Sequence, residues 1–233
     1  MFIHGCNHLQ VSVFPPIDYF LRYFYGVPIF FAMSGFLMWN SAGNNTGYIS
    51  YLKKRFWRIS PELWAGVAFE IVVLIVLHFR HINWAELAAF TVTQSTVLQF
   101  RTPDSLRSYD CGTPNGSLWT ICVLIQFYIV VYFMRKLLHG KKLTVWIPTV
   151  ILSTAVAVAS PHLAKFIPEI IYKLYNQTII PYLWLFVLGA FISEYREKFI
   201  PALKKFWYIP LALSIITFIV DFDLSGGPYG YGI

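Results

Sequence analysis

A short basic cluster, formed by Lys53, Lys54, Arg55 and Arg58, contains the residues best suited to bind an anion. Guanidinium groups bind phosphate oxygens through paired, charge-assisted hydrogen bonds. The spacing of three between Arg55 and Arg58 would place both on one side of a helical turn. The cluster is therefore a candidate phosphate site, although the same charges would also suit a simple anchor to anionic lipid headgroups.

The candidate groups for proton transfer are six histidines. A histidine ionises near neutral pH and can take the proton from an attacking hydroxyl. His4 and His8 are four residues apart and would share a helical face, but no acidic or cysteine ligand accompanies them at a suitable spacing, so we expect no metal site. The other four are expected at helix ends or in a loop: His78, His81, His139 and His162.

Glu70 is a further candidate because it lies in the middle of an apolar segment. An ionisable group at bilayer depth is costly and therefore often functional, but Glu70 could instead be protonated or paired with another helix. The cysteines lack the spacing of a zinc site. Cys6 and Cys111 could form a disulfide, and Cys122 is expected to be a small core residue.

Membrane helices must position these residues. The chain has 233 residues, of which 57% are apolar and only 12% are charged, too few to cover a water-soluble surface. Backbone groups in lipid must be satisfied within the segment, so each long apolar run is expected to be helical. We predict an all-α, polytopic transmembrane helix bundle with six full spans, at residues 23–39, 59–77, 117–134, 143–160, 178–193 and 206–220.

The distribution of basic residues predicts the orientation. Residues 41–58, 135–142 and 194–205 are expected to be loops, and they contain twelve of the eighteen lysines and arginines, which places them in the cytoplasm. The net charge of +7 therefore needs no nucleic-acid partner. If segment 84–100 crossed the membrane, the basic 135–142 loop would lie on the external side. We therefore predict a re-entrant or interfacial helix at 84–100, with a seventh span as the alternative.

Three motifs occur in an order known from one family. Residues 30–37 read FFAMSGFL, residues 55–61 read RFWRISP, and residues 116–128 read GSLWTICVLIQFY. They resemble the FFxxSGFL, RxxRIxP and SLWTLxxEEQFY motifs of the acyltransferase 3 family of membrane O-acyltransferases. Residues 1–9 resemble the outer half of that family's first helix. The resemblance implies a single acyltransferase domain over 1–233, with the first helix truncated and the last helices absent.

The resemblance also implies an activity. The family moves an acyl group, in our expectation acetyl, from cytoplasmic acyl-coenzyme A to a hydroxyl of an extracytoplasmic or lipid-linked carbohydrate, in a bacterial plasma membrane. His4 would be the general base, in preference to His8. Arg55, Arg58 and Lys54 would hold acyl-coenzyme A, a substrate rather than a permanently bound cofactor. The motif residues expected to shape a pore are Ser34, Gly35, Phe36, Trp119, Gln126 and Tyr128.

One position departs from the family pattern. Where the family has acidic residues in its third motif, this chain has Leu124 and Ile125. If the acid supports the histidine or the substrate, the enzyme is impaired. The alternative function is a non-catalytic family member that exports or helps to assemble polysaccharide on the same scaffold.

Overall fold

The described part of the chain is built from helices. A computed structural model describes residues 26–44, 47–78, 82–96, 118–163 and 165–224, and within these ranges there is no strand. The described helices are α1 (Gly26–Gly43), α2 (Tyr48–His78), α3 (Trp84–Gln94), α4 (Trp119–Leu138), α5 (Leu143–Leu163), α6 (Glu169–Tyr175), a 3-10 turn (Ile180–Tyr182), α7 (Leu183–Glu194), α8 (Arg196–Lys205) and α9 (Tyr208–Leu224).

Several of these helices are suited to cross a bilayer. Tyr48–Val76 of α2, together with all of α4 and α5, are long and apolar enough to span, and two bent helix pairs raise the total among the described residues to as many as five. The surface of α5 is apolar, with Ile151, Leu152 and Val158 each more than 60% exposed. The prediction of an all-α membrane helix bundle is confirmed, whereas the count of six spans stays a prediction.

The helix α2 differs from expectation at its N-terminal end. It begins at Tyr48, so the basic cluster lies on a helix and not in the predicted loop 41–58. Lysine and arginine are good helix formers, and positive charge marks the end of an apolar run rather than the end of a helix. The predicted loop 194–205 was wrong in the same way, because α8 occupies most of it.

The helix α3 turns back along α2. Its first turn is capped by Asn83, whose Oδ1 accepts hydrogen bonds from the amides of Ala85 (3.1 Å) and Glu86 (3.4 Å). Leu74 of α2 packs with Leu87 and Phe90. With 11 residues, α3 is about 16 Å long and too short to cross a membrane. Among the described residues the segment therefore contains a short helix, and its re-entrant or interfacial position stays a prediction.

The chain divides into two compact units, which we describe separately. One comprises Phe30–Glu194. Within it, α2 contacts α3 and α4, and α5 contacts α7 and the 3-10 turn. Of the other unit, the structure describes residues 26–29 and 195–224, which contain α8 and α9. The motif residues that the structure describes belong to the first unit.

Candidate functional site

Two glycines bring α1 and α7 into direct backbone contact. A Cβ atom added to Gly35 would overlap the carbonyl oxygen of Phe186, and one added to Gly189 would overlap that of Ala32. Small residues allow this approach between membrane helices. Ser34 is buried beside the contact. The first motif therefore fixes the position of α7.

Aromatic side chains connect the first and third motifs. The ring centroid of Phe31 lies 6.0 Å from Trp119, 5.3 Å from Tyr182 and 4.9 Å from Phe186. Trp119 in turn lies 5.2 Å from Tyr182, and Phe127 stacks on Phe186 at 3.9 Å. These distances suit tilted, edge-to-face and stacked aromatic pairs. The start of α4 is thereby joined to α1 and to the turn before α7.

Gln126 of the third motif binds the backbone of the non-helical segment between α6 and the 3-10 turn. Its Nε2 donates to the carbonyl oxygen of Gln177 (2.8 Å), and its Oε1 accepts from the amide of Ile179 (3.0 Å). Backbone groups at such a break need partners because lipid provides none. Leu124, at a position where the family has acid, is 6% exposed and belongs to the apolar core.

Arg55 is the best candidate for binding a ligand. Its guanidinium lies 5.7 Å from the ring centroid of Tyr51 and 5.7 Å from that of Tyr128, so the second and third motifs meet there. Its Nε is buried and has no hydrogen-bond partner. Arg58, three residues further along α2, is exposed. Together, these residues place an unsatisfied donor beside the middle of α4.

A second polar cluster lies at the C-terminal end of α4, and no local sequence pattern indicates it. The Oε2 of Glu194 accepts from Trp39 Nε1 at 2.7 Å and lies 3.0 Å from His139 Nδ1, while Oε1 accepts from the amide of Gly140 at 2.7 Å. The side chain of Glu194 is only 10% exposed. One carboxylate thus joins the ends of α1 and α7 to the turn between α4 and α5.

Arg135 completes this cluster from the last turn of α4. Its Nη1 donates to the carbonyl oxygen of Trp39 at 2.7 Å, and its guanidinium lies 5.4 Å from the centroid of the Trp39 ring. Gly43 leaves room for the guanidinium, which a Cβ atom there would overlap. Trp39 also packs edge-on against Trp146 at 5.1 Å. We attribute a structural role to the cluster because its hydrogen bonds hold helix ends together.

We expect Glu194→Gln to lower the stability of the protein by about 1.5–3 kcal/mol, the usual contribution of hydrogen bonds to charged groups. The amide would turn a donor toward one of the N–H groups that now bind the carboxylate. The matched control is Glu169→Gln, because Glu169 is 80% exposed and forms an ion pair with Lys173 one turn away. Thermal denaturation would measure the stability of the two purified variants. Equal melting temperatures for Glu194→Gln and Glu169→Gln would contradict the structural role of Glu194.

The remaining predicted residues are dispersed or lie outside the described ranges. Both carboxylate oxygens of Glu70 are buried without a hydrogen-bond partner. Cys122 is buried, as expected of a core residue. Lys54 is exposed, and Phe36 is half-buried at the α1–α7 contact. His4, His8, Cys6 and Cys111 lie outside the described residues.

Comparison with known proteins agrees with the three motifs. A family model described as an acyltransferase domain matches residues 1–232. Nodulation protein 10 of Rhizobium leguminosarum bv. viciae is 24% identical over 208 residues, covering 83% of this chain and 55% of that protein. The chain thus spans about half the length of this curated relative. No solved structure matches the chain. Since the family model covers almost all of it, the chain belongs to the acyltransferase 3 family.

Proposed function

We propose that the protein is a membrane O-acyltransferase. It would move an acyl group, acetyl in the simplest case, from acyl-coenzyme A at the cytoplasmic face of a bacterial plasma membrane to a hydroxyl of an extracytoplasmic or lipid-linked carbohydrate. The family supports the reaction class, and one structural observation supports the donor site. That observation is the buried, unpartnered Nε of Arg55 where the second and third motifs meet.

An anionic ligand would satisfy Arg55. Leaving a buried donor unpaired costs free energy, and leaving a charged one unpaired costs more. The phosphates of coenzyme A supply acceptor oxygens of the right charge, and guanidinium groups bind them in pairs. Arg58 and Lys54 would add positive charge on the exposed side of α2. A lipid anchor needs only exposed cations, so the burial of the Arg55 Nε favours the acyl donor.

The transfer itself needs a base and a leaving group. The acceptor hydroxyl oxygen would attack the thioester carbonyl carbon as the carbon–sulfur bond breaks, and coenzyme A would leave as a thiol. His4 would take the hydroxyl proton and return it to the departing sulfur, a role usually contributing about 10²–10⁴ to the rate. Ser34, Gly35, Phe36 and Trp119 would shape the path between donor and acceptor, with α7 held against them.

One observation favours a second function. Leu124 is buried in the apolar core, and no carboxylate occupies this position or the next one, where the family has acid. A family member without that acid could assist the export or assembly of polysaccharide without catalysing transfer. The two functions differ in whether acyl-coenzyme A is consumed.

We expect Arg55→Ala to weaken the binding of acyl-coenzyme A by roughly tenfold to a hundredfold, because about 1.5–3 kcal/mol is lost with a hydrogen bond to a charged group. Equilibrium binding of radiolabelled acetyl-coenzyme A to the purified protein would measure it. Lys141→Ala is the matched control, since it removes an exposed cation from the turn after α4. Equal losses in the two variants would point to general attraction of anions and would remove Arg55 from the donor site.

A further inference from the structure

The helix α8 has a polar face and an apolar face. Lys198, Lys204 and Lys205 lie on the polar face together with Glu197. Phe199, Ile200 and Leu203 recur at helical spacing on the opposite side, which they share with Arg196 in the first turn. Ile200 is 39% exposed and Leu203 is 47% exposed. All residues of α8 are described, and none is buried. Two side chains of the apolar face, Ile200 and Leu203, are therefore accessible, whereas Phe199 is half-buried.

The joint between α8 and α9 is aromatic and sharply bent. Phe206, Trp207 and Tyr208 follow one another at the joint, and each is more than 40% exposed. The axes of α8 and Tyr208–Ile216 of α9 differ by 70°. Tryptophan and tyrosine concentrate at membrane–water interfaces, where an apolar ring and a polar edge are both accommodated. If α9 crosses the membrane, α8 must run nearly parallel to its surface.

We propose that α8 is an interfacial helix that binds anionic phospholipid headgroups. Its apolar face would enter the boundary between headgroups and acyl chains, and its lysines would contact phosphate groups at the surface. A short helix with a basic face and large apolar side chains behaves in this way. Lys205 already lies 5.2 Å from the Phe206 ring, which places its charge at the aromatic joint.

The charges of α8 make its burial in the hydrocarbon core unfavourable. Ten residues carry four basic side chains and one acidic side chain, and each would be costly at the centre of a bilayer. A second protein would be expected to match the basic face with acid, but it would not account for exposed aromatic residues at the start of an apolar helix. An anionic membrane surface accounts for the lysines, the apolar face and the aromatic joint together.

Hydrogen exchange of α8 amides tests this proposal in reconstituted protein. Nanodiscs of phosphatidylcholine alone would be compared with nanodiscs that contain one quarter phosphatidylglycerol. We expect exchange within residues 196–205 to be on the order of tenfold slower with the anionic lipid, because basic residues near such a surface are attracted to it. High salt should reduce the difference, since these charges are screened in water.

Variants separate lipid binding from other causes. Lys204→Gln combined with Lys205→Gln should abolish the lipid-dependent difference, while the exposed pair Lys141→Gln and Lys142→Gln, in the turn before α5, should preserve it. Equal exchange of α8 in both lipids for the unmodified protein would overturn the proposal. So would a difference that survives in the first double variant, or equal protection by free inorganic phosphate in phosphatidylcholine nanodiscs.

Discussion

Gly189→Leu is expected to prevent the protein from accumulating in its folded form. A side chain at this position would enter the space of the Ala32 carbonyl and of the Phe36 amide, both of which belong to the backbone of α1. Backbone cannot move aside as a flexible side chain can, so α1 and α7 would separate. We expect the free energy of unfolding to fall by roughly 3 kcal/mol or more, which is at the upper end for overpacked positions. Size-exclusion chromatography of the solubilised protein would measure the folded fraction.

The matched control for this prediction is Gly66→Leu. Gly66 also lies within a helix, α2, but a Cβ atom there would meet nothing within 4 Å. Glycine is less favourable in a helix than alanine by about 0.8–1.0 kcal/mol, and leucine ranks next to alanine, so this change should be neutral or stabilising. A loss of stability at Gly189 without a loss at Gly66 would show that contact between α1 and α7, rather than helix propensity, determines the outcome. A folded, stable Gly189→Leu protein would contradict the contact.

His4→Ala is expected to lower acyl transfer by about 10²–10⁴ while leaving the binding of acyl-coenzyme A unchanged. A general base stabilises the transition state and contributes little to binding the donor in the ground state. The role rests on the family resemblance, because His4 lies outside the described residues. Transfer of radiolabelled acetyl groups to surface carbohydrate, measured in cells that produce each variant, would report the rate.

His8→Ala is the control, since His8 would lie one helical turn from His4 and should have a much milder effect. A protein that only assists polysaccharide export would transfer no acetyl group even before substitution, and His4→Ala would then change nothing. Full transfer by His4→Ala would exclude it as the base. Glu70, whose carboxylate oxygens are buried without partners, would then be the next residue to test.

The sequence was sufficient for those features that depend on residues close together in the chain. Apolar runs predicted α4 and α5. The predicted helix boundaries were less accurate where basic residues lie within a helix. The basic residues of α2 and α8 were assigned to loops because positive charge ends an apolar run without ending a helix.

Contacts between distant residues could not be predicted in this way. Glu194 and Trp39 are 155 residues apart, and nothing in the local pattern around either indicates the other. The signal available was weak: Glu194 follows an apolar run directly, and His139 lies in a basic segment. The approach of Arg55 to Tyr128 was likewise visible only once α2 and α4 were packed. The family resemblance named both residues without saying that they meet.

A structure of the protein with acyl-coenzyme A bound would test the central claim most directly, since it would show where the donor phosphates lie. We expect a donor phosphate oxygen within about 3 Å of the Arg55 guanidinium, as in a charge-assisted hydrogen bond. We also expect Arg58 to lie on the same side of the ligand. A donor bound elsewhere, with Arg55 still lying between Tyr51 and Tyr128 and making no contact to it, would contradict the account.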